Sequence, residues 1–392
     1  MRLTGFRYLR RQRVAALVVI TAFPSMLFSM TAFSLLGFYR GFSAYLGEGE
    51  DIMVIYDRNS RTPYTGLVPV YLADRIRAVS GVLASSAEAI APCTLKGESV
   101  FLRGIVPEDF SKLNKLTMME GEMIRLEDLN FMVVGRNVAE RLGLNLNDKV
   151  LVSSVLTGRY LDLQVKGVFV SHSPIDDEIV APIYVGQWLR GADYAHATLI
   201  RVKIDAKTVS RSDVLRVVEE EASGQPPPGR EEEEPTEEPI IPRIVIRFRA
   251  EDIGVEEAAS FMRSYMDRYG VTRESLMTLS LAVFFFSSVS IALGYKVIIA
   301  QHRGELDVLR CLGASKRFMK IDLLAKLLPW SILASFTGIA MALATLTVIQ
   351  DCGYLRVLSH TVPVQPDPLV IALNLGFIIL LSALTILKSE IQ

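Results

Sequence analysis

Cysteine is scarce in this chain: three residues among 392, beside four histidines and two tryptophans. Three cysteines are too few for a disulfide framework. No Cys/His spacing suits a metal ion, and His172 in "SHSP" reads as an isolated loop histidine. The chain also lacks a G-x-x-x-x-G-K-[ST] phosphate loop, H-E-x-x-H, G-x-S-x-G and the kinase signatures. No catalytic residue, metal ligand or bound cofactor is therefore expected, and the chain alone should not hydrolyse ATP.

Charge is missing from four long apolar runs: Val14–Phe38, Ser275–Tyr295, Leu327–Gln350 and Pro368–Leu387. Each reaches the ~20 residues that cross a bilayer. The first exceeds the ~7–15-residue apolar core of a signal peptide and reads as a retained span, with a kink expected at Pro24. Spans without ionisable residues give no support to an ion or proton path. Asn374 and the Ser and Thr residues of the spans read as helix-packing contacts.

The charge that is present is unevenly placed. Residues 41–274 hold 27 Lys+Arg against 37 Asp+Glu, a net of −10, while the rest of the chain holds 15 against 6, a net of +9. An acidic segment of this size argues against nucleic acid as a partner. Basic residues gather before the first run (Arg2, Arg7, Arg10, Arg11, Arg13) and between the second and third (Lys296, Arg303, Arg310, Lys316, Arg317, Lys320, Lys326). The positive-inside rule then puts both termini in the cytoplasm of a multi-pass cell-membrane protein. Cys93 and Cys352 fall outside, where a bridge between them is allowed; Cys311 falls inside.

The fold class expected is an α-helical membrane protein with four transmembrane helices and a large extracytoplasmic α+β domain inserted between helices 1 and 2. The segments are a cytoplasmic basic start (1–13), helix 1 (14–38), the outer domain (39–274), helix 2 (275–295), a cytoplasmic coupling segment (296–326), helix 3 (327–350), an outer loop (351–367), helix 4 (368–387) and a cytoplasmic tail (388–392). Within the outer domain, Asp51–Arg58, "GVLASSAEAIAP", "SVFLRGIV", "FMVVG", "ATLIRVKI" and "RIVIRF" read as strands. "KVLVSSVL" and "RYLDLQVKGVFV" read as a hairpin turning at Thr157–Gly158. Helices are expected over "LVPVYLADRIRAVSGV", "RNVAERLGL" (ending at Gly143), "RSDVLRVVEEEA" and "GVEEAASFMRSYMDRYG". Gly224–Pro239, "GQPPPGREEEEPTEEP", is too polar and like-charged to bury a face and reads as a solvated linker.

Between two spans lies "GELDVLRCLGASKRF", Gly304–Phe318. Leu306, Leu309 and Gly313 recur at i, i+3, i+7 as a narrow apolar stripe, and Arg303, Asp307 and Arg310 fall on another face. Gly313 ends the helix. So short a helix is marginal alone and needs something to dock on, either a cytoplasmic partner or the membrane surface; the residues themselves favour neither.

"HRGELDVLRCLGASKR" resembles the cytoplasmic signature R-R-E-I-G-[IL]-L-R-A-[LI]-G-A-[ST] of FtsX/MacB-type ABC transporter permeases. Arg303, Glu305, Leu306, Leu309, Arg310, Leu312, Gly313, Ala314 and Ser315 match; Asp307 and Cys311 depart from the usual glycine and alanine. "FMVVGRNVAERLGLNLNDKVLV" is similar to the outer-domain pattern of that family, with Asn147 in place of glycine, and "LQVKGVFV" and "FLRGIVPEDF" resemble neighbouring strands. The resemblance implies a permease subunit that dimerises with itself or a second permease in the lipid bilayer. It implies a separate cytoplasmic ABC ATPase as the user of ATP, with the matched residues as the ATPase contact. Export or extraction of a lipid, lipoprotein or peptide would follow. The alternative is a mechanotransmission protein that regulates an extracellular enzyme, and a third reading is a sensor without an ATPase.

Deleting Gly224–Pro239 is expected to move the melting temperature of the chain by less than about 2 °C, because loop closure entropy changes slowly with length. A calorimetric loss of several degrees would show that the run packs against the fold.

Overall fold

The computed structural model describes residues 11–47, 49, 51–223, 249–301, 303–357 and 359–388. The expected strand 243–248 and the acidic run 224–239 lie outside them. The chain divides into two units. One takes the chain up to Arg40, then Gly270–Leu355 and Val362 onward; the other takes Gly41–Tyr269 together with Arg356–Thr361.

Along the chain, helix α1 (Arg11–Ser43) runs through Pro24 without interruption. Strand β1 (Ile52–Asp57), β2 (Val68–Pro69) and helix α2 (Leu72–Arg77) follow. Next come β3 (Val82–Leu95), β4 (Glu98–Ile105), α3 (Pro107–Leu113), β5 (Thr117–Gly121) and β6 (Phe131–Gly135). Helix α4 (Arg136–Leu142) stops at Gly143, whose φ of 57° is left-handed. The expected hairpin is β7 (Lys149–Ser154) and β8 (Tyr160–Val170). After it come β9 (Glu178–Pro182), α5 (Ile183–Arg190), β10 (His196–Ala197), β11 (Leu199–Ile204) and α6 (Arg211–Ser223). The "GVEE" start of the last expected helix is instead strand, β12 (Ile253–Glu257), because Val255 is buried and the segment pairs with β1; α7 (Ala258–Arg268) begins only after it. Helices α8 (Arg273–Gln301), α9 (Arg303–Cys311) and α10 (Lys316–Asp351), the hairpin β13 (Arg356–Val357) and β14 (His360–Thr361), and α11 (Pro368–Lys388) complete the chain. The expected coupling segment is thus split, its last third forming the first three turns of α10.

The α/β unit is built on one mixed sheet in the order β12-β1-β11-β3-β4-β9-β6-β8-β5, with β7 joining β3 and β8. The β4–β9 and β6–β8 pairs are parallel and the rest antiparallel, as an α+β unit requires. Small residues let helix α5 lie close on the sheet. A side chain at Gly104 would meet the backbone of Gly186, and one at Gly186 would meet Ala89.

Among the described residues the other unit contains four helices long and apolar enough to cross a membrane: Val14–Ser43, Arg273–Gln301, Lys316–Asp351 and Pro368–Lys388. Phe28, Phe33, Phe284, Ile291, Leu327, Ile339 and Ile378 fill its apolar core. Two polar nodes cross that core. Asn374 is fully buried; its amide donates to the Ser29 hydroxyl at 2.7 Å, the Ser25 hydroxyl at 3.0 Å and the Ser25 carbonyl at 3.2 Å, and its oxygen accepts from Ser335 at 3.2 Å. The Tyr295 hydroxyl meets those of Ser331 and, at 2.6 Å, Ser382. Polar packing contacts are what the sequence led us to expect here. Between α1 and α10, Gly338 admits the Ala22 carbonyl where any side chain would collide with it.

Asn374→Ala removes four hydrogen bonds in an apolar surround, each worth ~0.6 kcal/mol in such a setting. A loss of about 2 kcal/mol is expected, read as an earlier unfolding midpoint of the chain in detergent, and a midpoint equal to wild type would refute the node's role.

Candidate functional site

Every turn of α9 has an inner and an outer side. Leu306 is buried among Ile298, Ile299, Met319 and Leu323, and Leu309 and Ala314 pack half-buried on the same cluster. The two leucines of the stripe read from the sequence therefore face the helices of their own unit. The apolar side chains turned outward are Val308 (60% exposed) and Leu312 (73%), one turn apart, with Phe318 (46%) across the bend. Arg303, Asp307, Arg310, Cys311 and Ser315 are exposed around them, as is the Gly313 backbone. Glu305 lies in α9.

The bend itself follows from the residues. The Ala314 amide donates to the Leu309 carbonyl at 3.1 Å and the Gly313 amide to the Arg310 carbonyl at 2.9 Å, with Gly313 at φ 89°. That is the paired closure of a helix by a left-handed residue, and it pins Leu309 beside Ala314. Ser315 then caps α10, accepting the Phe318 amide at 3.3 Å. A β-branched residue at 313 would have to adopt a conformation that only glycine takes at no cost.

The α/β unit holds a second arrangement, which the sequence reading did not single out. Four adjacent strands each carry one charge into the core: Arg201 on β11, Glu88 on β3, Arg103 on β4 and Glu178 on β9, all 2% exposed or less. Signs alternate along the row. Arg201 Nε donates to Glu88 at 2.6 Å; Arg103 Nη1 donates to Glu88; Arg103 Nε and Nη2 donate to Glu178 at 2.6 and 2.9 Å. Tyr45, beyond the end of α1, donates its hydroxyl to Glu178 and lies under the Arg103 guanidinium. The His360 Nε2 meets Glu178 Oε1 at 3.1 Å.

Burial by itself would raise the pKa of Glu178, but the Arg103 charge and the His360 hydrogen bond outweigh it and hold the carboxyl down at about 2. Burial pushes the Tyr45 phenol well above its ordinary value, so it stays a donor. Each charge interrupts an apolar strand ("SSAEAIA", "FLRGI", "DEIVAP", "LIRVKI"), and four such interruptions of alternating sign were the available signal. All three cysteines are free, and Cys93 is buried, its thiol raised to about 12 by burial.

The helical unit thus combines helices long and apolar enough to cross a bilayer with a short amphipathic helix at one bend. Residues 277–390 match the family model described as FtsX-like permease C-terminal. That region, most of it in the helical unit, is therefore similar to an FtsX-like permease C-terminal domain. Solved structures similar to the chain include the periplasmic region of MacB from Actinobacillus actinomycetemcomitans, with 14% identity, 55% of this chain and 92% of that one covered, and a TM-score of 0.37. Another is the extracellular domain of the ABC-type transporter YknZ from Gram-positive bacteria, with 16% identity, 45% and 96% covered, and a TM-score of 0.35. No curated protein matches the chain in sequence.

Glu178→Gln leaves the row with an unbalanced buried cation, a change that typically costs about 3–5 kcal/mol. The folded pKa of about 2 lies below the ordinary 4.5, so the carboxylate's contribution is fully present above pH 4.5 and is lost as pH falls toward 2. Urea unfolding of wild type and variant should therefore show a stability gap that is constant near neutrality and narrows across that window. A gap unchanged down to pH 2.5 would contradict the assignment.

Proposed function

We propose that the chain is the permease subunit of an ABC transporter, spanning the cell membrane four times with both termini in the cytoplasm and its α/β unit outside. A separate cytoplasmic ATPase supplies the energy, and the permease works as a homodimer or with a second permease. ATP-driven movement enters through α9 and reaches the α/β unit, which extracts or exports a lipid, lipoprotein or peptide. The permease-domain match over residues 277–390 carries this reading. The basic residues before the first apolar run and around the α8–α10 bend support the orientation. A second reading is favoured by the absence of charged residues from the apolar runs: the chain passes motion to an enzyme outside the cell and carries no substrate.

The ATPase contact in this proposal takes the exposed residues of the matched signature together with the apolar side chains turned outward at the bend. Val308, Leu312 and Phe318 form the apolar part and Arg303 and Arg310 the basic part. Burying one leucine is worth ~1.5–3 kcal/mol, against ~0–1 kcal/mol for an exposed ion pair. Leu312→Asp should thus weaken capture of the ATPase at least ~10-fold with normal membrane insertion, while Arg303→Ala weakens it less. Leu309→Asp should instead lower the yield of folded protein, because Leu309 packs inward. The measurement is pull-down of the ATPase from detergent extracts at matched expression. Equal capture by wild type and Leu312→Asp would make this face a lipid-surface element, and no capture by either would remove the ATPase.

A further inference from the structure

The hairpin between α10 and α11 belongs to the α/β unit although both flanking helices belong to the other. Leu355 and Val364, just outside the hairpin, pack against the core of the helical unit. The chain therefore changes units twice within about ten residues, and residues 356–361 are the part that crosses over.

The seat of this hairpin is polar except where the His360 ring meets Tyr45 and Phe101. Among the described residues its two strands pair only with each other. The Thr361 amide donates to Asp177 Oδ2 at 2.8 Å and its hydroxyl donates to the same oxygen. Arg141 Nη1 on α4 donates to the Ser359 carbonyl at 3.2 Å, and Asn137 reaches the Thr361 hydroxyl at 3.5 Å. Arg356 lies 3.7 Å from Glu98. The His360 ring sits edge-on to Tyr45 at 4.9 Å and tilted over Phe101 at 5.4 Å, with its Nε2 on Glu178. No described residue of the hairpin belongs to the apolar clusters of the α/β unit.

Such a seat differs in kind from the sheet it rests on. A polar contact exchanged for water contributes a net ~0.5–1.5 kcal/mol, more when one partner is charged; a buried apolar strand has no comparable substitute in solvent. Departure of the hairpin would strand no charge. Glu178 would keep both Arg103 hydrogen bonds and the Tyr45 hydroxyl, and Asp177, bonded here to Thr361, would gain water in its place. Ser359, between the two strands, holds φ at 74°, as turn residues of a hairpin do.

We propose that Arg356–Thr361 is a releasable strap: seated on Asp177 and Glu178 it couples the α10–α11 connection to β9 and α4, and unseated it frees the α/β unit without unfolding it. This rests on the reading of the chain as a permease whose helices drive that unit. The strap gives that drive an attachment separate from the chain continuity through α1 and α8, one that makes and breaks during a cycle. His360 and Thr361 are the positioning residues of the seat.

Amide hydrogen exchange of the intact chain in detergent, followed by mass spectrometry, tests the strap directly. Hairpin amides around Thr361 should exchange at least ~10-fold faster than β3–β4 amides, as a locally opening segment does. His360→Ala should accelerate the hairpin at least a further ~10-fold, since it removes the hydrogen bond to Glu178 and the ring contacts with Tyr45 and Phe101, and leave β3–β4 unchanged. Thr361→Val, which removes only a hydroxyl, should act in the same direction and serves if the alanine variant folds poorly. If either variant accelerates hairpin and β3–β4 equally, the hairpin is a fixed part of the sheet and the strap is overturned. Unchanged hairpin exchange in both variants overturns it as well. Failure of the permease reading shows elsewhere, as absence of ATPase capture with these exchange rates intact.

Discussion

Two arginines and two glutamates buried in a row cannot be left unbalanced, and much of the α/β unit follows from that. Each charge would cost several kcal/mol on its own in the core. They are tolerated because β11, β3, β4 and β9 lie side by side in a register that alternates the signs. Slipping one strand by a single residue would turn its charge to the opposite face and leave a neighbour unpaired. The row thereby specifies strand order across the centre of the sheet, including the parallel pairing of β4 with β9. It also gathers distant chain: Leu46 accepts from Arg201, Tyr45 donates to Glu178, and His360 arrives from the far end of the sequence.

The helical unit is organised differently. Its surface and its core are both apolar, so burial alone says little about which helices should meet. Hydrogen bonds and small residues do that work. Asn374 ties α11 to α1 and α10, Tyr295 ties α8 to α10 and α11, and Gly338 permits the close crossing of α1 and α10. At the α9 bend, one face is consumed in joining α8 and α10, and the opposite face is left with Val308 and Leu312. In the proposed function this division suits a coupling element: rigid attachment on one side, a contact surface on the other.

For that function the position of the hairpin matters as much as α9. A permease driven from one end must pass movement into its α/β unit, and chain continuity at α1 and α8 is one means. In the strap proposal the α10–α11 hairpin adds to it a seat on the α/β unit that is largely polar.

The sequence by itself determined the parts whose signal is local. Four apolar runs without charge specify four long helices, because an uncharged run of that length has few other stable forms. Strand-like runs marked β1, β3, β4, β6, β7, β8 and β11 but not β5, β9 or β12, and Gly143 and Gly313 marked helix ends because their left-handed turns disfavour other residues. The helical reading of "GVEE" failed because pairing with β1, which is remote in sequence, outweighed local propensity. The inward face of Leu306 and Leu309 was not legible for a related reason: a short amphipathic helix has an apolar stripe whether it faces its own protein or a partner. Only the tertiary structure decided that, and only it assembled Arg201, Glu88, Arg103, Glu178 and His360. These residues are up to 272 positions apart, and each looks like an isolated polar interruption until the strands and the hairpin are laid together. Their meaning is electrostatic and pairwise, and pairwise distance is what a linear sequence does not carry.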